Sequence, residues 1–341
     1  QDHDDTAIKD SSERAKFKDG TPEYIEENSK VHANSSRILH TDYDVQWHLA
    51  RISHRQRGHS DYTYDASAGN GTCAYVLGTG IDSGHPEFEG RAKQLISFDS
   101  SSGKDEADHG TGVASIIAGK TLGVAKKTKI FGVRFFSQKD EMVGTSTLVK
   151  AIDYIIEHQA QMKSEGECVN GVFVNYSVTG GDSDKQDEAF EKLAKQVSFV
   201  AAAAGNDGGS ATKETLVNAP SVCIIGAINR KDALIFNYGR LVDILAPGDE
   251  MLTANAYQRG GYATRRGGTS YSTAVVVGMA ANLAAAEGLG GIGSRALCDR
   301  IKEMATKDAV INPRLDTVNL IAYNGVKDVD DDNSERLTKK S

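Results

Sequence analysis

Gly267-Gly268-Thr269-Ser270-Tyr271-Ser272-Thr273 leads without a charged residue into an apolar segment that ends near Ala286. A stretch apolar all round reads as a helix buried in a core, entered here through a glycine turn. Thr273–Ala286 falls short of the ~20 apolar residues that cross a bilayer, so a core helix is expected and no membrane partner. A serine at the mouth of such a helix sits in the positive field of its N-terminus, which favours developing negative charge.

Moving outward, short apolar runs alternate with segments of helical period. Ala74–Leu77, Lys129–Phe135, Gly171–Tyr176, Phe199–Ala204, Val222–Ile228 and Val242–Ala246 read as strands. Leu148, Val149, Ile152, Ile155 and Ile156 share one face of a helix over Thr147–His158. Phe190, Leu193, Ala194 and Val197 mark another. Alternation of this kind predicts an α/β fold, a central mostly parallel sheet with helices on both faces. Ligands of such sheets sit at the carboxyl ends of the strands. Those ends lead into Gly78–Gly84, Ser177–Gly181 and Gly205–Gly209.

Two further segments carry chemistry, Asp108-His109-Gly110-Thr111-Gly112-Val113-Ala114 and Ala204-Gly205-Asn206-Asp207-Gly208. A histidine can act as base to the serine, and an asparagine amide at a loop tip can donate to an oxyanion. Taken singly each is weak, because a histidine ahead of a helix is usually structural and Gly-Thr-Ser is usually a cap.

Taken in this order, the segments resemble the subtilisin-like serine proteases (peptidase S8), most closely the fungal proteinase K group. The resemblance runs from about Trp47 to Asn324. It includes Trp47-His48-Leu49-Ala50-Arg51-Ile52-Ser53-His54 and His85-Pro86-Glu87-Phe88-Glu89-Gly90-Arg91. Asn237-Tyr238-Gly239, Val242-Asp243-Ile244, Ala246-Pro247-Gly248 and Asn319-Leu320-Ile321-Ala322-Tyr323-Asn324 extend it. It implies a three-layer subtilisin-like fold with Ser270 at the nucleophile position, His109 at the base and Asn206 at the oxyanion donor. It also implies disulfides Cys73–Cys168 and Cys223–Cys298, and one structural Ca²⁺ held by the Pro220 and Val222 carbonyls with the Asp243 carboxylate. An all-oxygen set is what a hard cation requires. From the residues alone, four cysteines allow three pairings, and no CxxC suggests a metal.

The pattern breaks at one place. The family's first catalytic strand runs into an aspartate that orients the histidine; here Ala74-Tyr75-Val76-Leu77 runs into Gly78-Thr79-Gly80. A glycine leaves the imidazole without an acceptor to fix its tautomer and stabilise its charged form. In subtilisin and trypsin, loss of this carboxylate costs roughly 10⁴-fold in kcat, about 5–6 kcal/mol. Asp82 and Asp108 are the nearby acids, and neither is expected to substitute. Gly112 replaces the family's second histidine, and Ala274-Val275 the usual Pro-His. Along the implied substrate walls, Glu141, Val143 and Gly144 stand on one side. Ser177, Val178, Thr179 and Gly180 stand on the other, with Thr179 interrupting a glycine pair. Such clefts bind peptide by strand addition, which needs open backbone edges.

The chain has 341 residues, 39% hydrophobic and 25% charged, with a formal charge of −8. Acidity of this sign argues against nucleic acid as a partner. Residues 37–324 are read as the subtilase domain, 1–36 as a remnant of an inhibitor I9-type propeptide, and 325–341 as a flexible charged tail. Expected partners are a peptide or protein in the cleft, the chain's own propeptide tail among them, and the protein is expected to be a monomer. The chain opens at Gln1 with no apolar signal region, so a targeting peptide is taken to have been removed or left out. Asn34, Asn70 and Asn175 begin N-x-[ST] sequons, which with four cysteines suggests secretion to the cell exterior, or delivery to a vacuole. The expectation is a protease homologue impaired or inactive in catalysis. The alternative is an active serine endopeptidase whose base is oriented by another group.

Overall fold

The computed structural model describes residues 13–18 and 21–27 as backbone, and 37–98, 103–136, 143–178, 180, 183–213, 216–258, 260–314 and 316–326 in full. Two units separate, Gln1–Arg37 and Ile38–Ser341. In the first, β1 (Glu13–Lys18) pairs antiparallel with β2 (Thr21–Glu27), with an irregularity between Lys16 and Phe17.

In the second unit, β3 (Leu39–Asp42) and β4 (Tyr62–Asp65) form a small antiparallel ladder around α1 (Trp47–Ser53). The chain continues through β5 (Cys73–Gly78), β6 (Ala92–Ser97), α2 (His109–Ala118), β7 (Lys129–Arg134) and α3 (Thr145–Ser164). Next come β8 (Val172–Tyr176), α4 (Asp184–Ala194), β9 (Phe199–Ala203), β10 (Cys223–Ile228), β11 (Leu234–Ile235) and β12 (Ile244–Pro247). A hairpin of β13 (Met251–Asn255) and β14 (Gly261–Arg265) precedes α5 (Thr269–Glu287) and α6 (Ser294–Met304). Strands β15 (Thr306–Lys307) and β16 (Leu320–Ile321) close the sheet.

The main sheet has ten strands in the order β15-β16-β12-β10-β9-β8-β5-β7-β6, with β11 beside β10. Every neighbouring pair from β16 to β6 is parallel; β15 and β11 are the antiparallel additions. Central strands are buried on both faces, which is why they read as unbroken apolar runs. Along β5, Ala74 and Val76 face the cluster holding α2 and α5, while Tyr75 and Leu77 face the one holding α3 and α4. This period-two division makes three layers.

Helix α5 is the inner member of its layer, buried from Thr269 through Ala284. Gly278 lets it approach α2 and the loop after it: a Cβ there would lie 2.7 Å from Val124 Cβ and 3.0 Å from the Ile117 carbonyl. Its end is set by Gly288, whose φ of 70° is the left-handed conformation that terminates helices. Disulfides join Cys73 to Cys168 and Cys223 to Cys298, the pairing that the resemblance implied.

Candidate active site

Three elements bring the chemistry-bearing residues to the carboxyl edge of the sheet. Strand β5 ends at Gly78, α2 begins at His109 and α5 carries Ser270 in its first turn. Ser270 is 7% exposed, and its Oγ donates to the Ser177 carbonyl at 3.2 Å. Ser177 answers with Oγ donating to the Ser270 carbonyl at 3.1 Å, and it takes Asn175 Nδ2 at 2.8 Å. The hydroxyl of Ser270 is thus turned toward the segment that follows β8.

Asn206 is anchored by its oxygen. Oδ1 accepts from Thr269 N at 2.8 Å and Thr269 Oγ1 at 3.0 Å, so Nδ2 remains a donor with no partner among the described residues. That suits an oxyanion donor, since the amide is oriented before any charge develops.

The ring of His109 lies 6.1 Å from that of Tyr271. Among the described residues, no hydrogen bond reaches its side chain. Burial pushes its pKa below the ordinary histidine value, against the pull of Asp105 and Asp108 and with the help of Arg265. At Gly78, where β5 ends, an added Cβ would meet nothing within 4 Å.

The neighbouring acids are committed elsewhere. Asp108, in the left-handed region at φ 58°, makes no side-chain cap bond to α2. Its carboxylate instead accepts from Ala256 N and pairs with Arg265 of β14. Asp82 accepts from Gly84 N at 3.2 Å inside a turn. Asp105 was not singled out in the sequence, although its place four residues before a helix-starting histidine was the available signal. It is 5% exposed and fully engaged, taking Thr79 Oγ1 at 2.9 Å, Ala107 N at 3.3 Å, Thr111 N at 2.7 Å and Thr111 Oγ1 at 2.6 Å. It acts on His109 through its field alone.

Of the residues expected to line a substrate cleft, Val143 and Val178 pack against the same apolar cluster as α3 and α4. Gly144 caps the start of α3, and Gly180 has open space around its Cβ position. Thr179 and Glu141 lie outside the described residues. At Gly112 a Cβ would stand 3.2 Å from Thr253 Oγ1, so that side chain of β13 occupies the room beside α2.

A family model described as the subtilase family matches residues 69–312. The chain belongs to that family. It is 40% identical over 281 residues to a cuticle-degrading protease of Metarhizium anisopliae, covering 82% of this chain and 70% of the relative. With Proteinase R of Parengyodontium album the identity is 38% over 305 residues, 89% of this chain and 74% of the relative. A solved cold-adapted subtilisin-like serine proteinase superposes with a TM-score of 0.74 at 29% identity, covering 84% of this chain and all of that one. The subtilisin-like three-layer fold follows from this likeness and from the parallel sheet itself.

Two expected sites in this subtilase meet side chains that are already engaged. Asn175 is a poor glycan acceptor: it is fully buried in β8, and its amide nitrogen bonds Ser177. Of the other sequons, Asn70 is exposed and Asn34 lies outside the described residues. The calcium set Pro220, Val222 and Asp243 also does not fit. The Asp243 carboxylate already faces Arg295 at 2.9 Å and Lys302 at 3.4 Å, besides accepting from Ile224 N at 2.9 Å. A dication placed there would meet two positive groups. Cys223 and Cys298, which stand close to the same carboxylate, are joined to each other and offer no thiolate. No helix among the described residues is long and apolar enough to cross a membrane.

Proposed function

We propose that this subtilase is a secreted protease homologue with little or no peptidase activity, whose cleft serves to bind a peptide or protein. The reading is carried by Gly78, which the family resemblance puts at the orienting acid's position, and by His109, whose ring meets no hydrogen-bond acceptor among the described residues. An imidazole desolvated below its ordinary pKa is a weak base. No hydrogen bond among the described residues stabilises the imidazolium formed as Ser270 gives up its proton; only the fields of Asp105 and Asp108 favour it. With Ser270 Oγ bonded to the Ser177 carbonyl, the nucleophile also lacks its activating contact. Asn206 keeps its free amide, so residual catalysis from oxyanion stabilisation alone is expected. Residues 1–36 are read as a propeptide remnant, and the two disulfides support an oxidising compartment, outside the cell or in a vacuole.

The test is restoration. The space at Gly78 admits a side chain, so Gly78→Asp should fold. Assayed on casein and on a peptide nitroanilide, the variant should gain on the order of 10³–10⁴-fold over the natural chain. Equal, robust activity in both proteins would establish the second reading, an active serine endopeptidase. That reading draws on Asp105, whose charge pulls the His109 pKa back up.

A further inference from the structure

Asp243 stands one residue before β12, beside the bridge that ties Cys223 of β10 to Cys298 of α6. Its side chain is 14% exposed and fully spoken for. Oδ2 takes the backbone N–H of Ile224, while Oδ1 faces Arg295 and Lys302. Both cations come from α6, seven residues apart and therefore two turns apart on one helix face. Between them Asp299 bonds Arg295 at 2.8 Å and lies 3.5 Å from Lys302. Two cations thus meet two carboxylates, and the cluster is neutral without any ion from solution.

The resemblance assigned this carboxylate to calcium, with the carbonyls of Pro220 and Val222 just ahead of β10. Calcium takes six to eight oxygens at about 2.3–2.6 Å. The partners of Asp243 Oδ1 here are nitrogen cations, which offer no lone pair and repel a dication. We propose that Arg295 and Lys302 stand in for a divalent cation at Asp243, so that segment 219–224 is held by the chain's own charges. The fold then needs no calcium at this position. The inference is independent of whether the active site turns over.

Thermal unfolding of the full chain in millimolar calcium and in EDTA tests it. Any difference in melting temperature between the two should be the same in the natural protein and in Asp243→Asn. The Arg295→Ala/Lys302→Ala double variant should melt lower in EDTA, by on the order of 2–5 °C, and recover part of the loss when calcium is added. A calcium-induced rise in the natural protein that disappears in Asp243→Asn would overturn the proposal. So would a double variant as stable as the natural chain in EDTA. A rise that Asp243→Asn leaves undiminished belongs to an ion held elsewhere and supports it. If the double variant does not fold, Arg295→Gln, which drops the charge and keeps a donor, is read in the same way.

Discussion

Acidification should weaken this protein through His48. The ring is fully buried in α1, with Nε2 2.9 Å from the Leu122 carbonyl. A carbonyl only accepts, so Nε2 carries the proton and Nδ1 is left bare, buried and without a partner. Charging the ring would put a second N–H into a dry pocket. Burial, aided by the charges of Lys126 and Arg230 and opposed by the Leu122 bond, pushes the pKa from 6.5 down to about 4. Between those values the unfolded chain binds the proton and the folded one does not, so stability rises with pH through that window. Each pH unit of the gap is worth about 1.4 kcal/mol, and about 3 kcal/mol is lost by its acid end. His109 and His158 are pushed down too, so the loss must be isolated by difference. Urea titrations of the natural chain and His48→Gln across the window provide it, glutamine retaining a donor for Leu122. The natural chain should lose about 3 kcal/mol more than the variant. Parallel curves for the two proteins would refute the argument.

Two further outcomes are expected. Gly278→Ala forces a methyl against Val124 and the Ile117 carbonyl, and should cost about 1–3 kcal/mol of unfolding free energy without altering the content of secondary structure. Mass spectrometry of glycopeptides from a secreting host should find Asn70 occupied and Asn175 bare, because the latter lies inside β8; a glycan on Asn175 would contradict the strand's burial.

The strands and the helix from Thr269 were legible because each is short-range: an apolar run, a period, a glycine turn. So were the places of His109 and Ser270 at the starts of helices, through local motifs. Boundaries slipped where tertiary contacts decide them. The strand expected at Val242 begins at Ile244, since Asp243 turns its carboxylate to Ile224 and α6. Asn175 looked like a sequon because sequence motifs ignore what flanks a strand; β5 and β9 on either side of β8 bury it. Arg295 and Lys302 gave no signal at all. Their meaning depends on a disulfide that brings α6 to a residue some fifty positions earlier, the separation of 52 between Arg295 and Asp243.

The buried start of α5 has a consequence for reading relatives of this chain. Thr269, Ser272 and Thr273 each hold a neighbour: Thr269 Oγ1 bonds Asn206 and Gly205, Ser272 the Ala246 carbonyl, and Thr273 the Thr269 carbonyl. Folding alone is reason enough to keep them. A lineage that stopped cutting peptides would therefore go on displaying the signature around its serine, and that signature by itself testifies to ancestry rather than to a living enzyme.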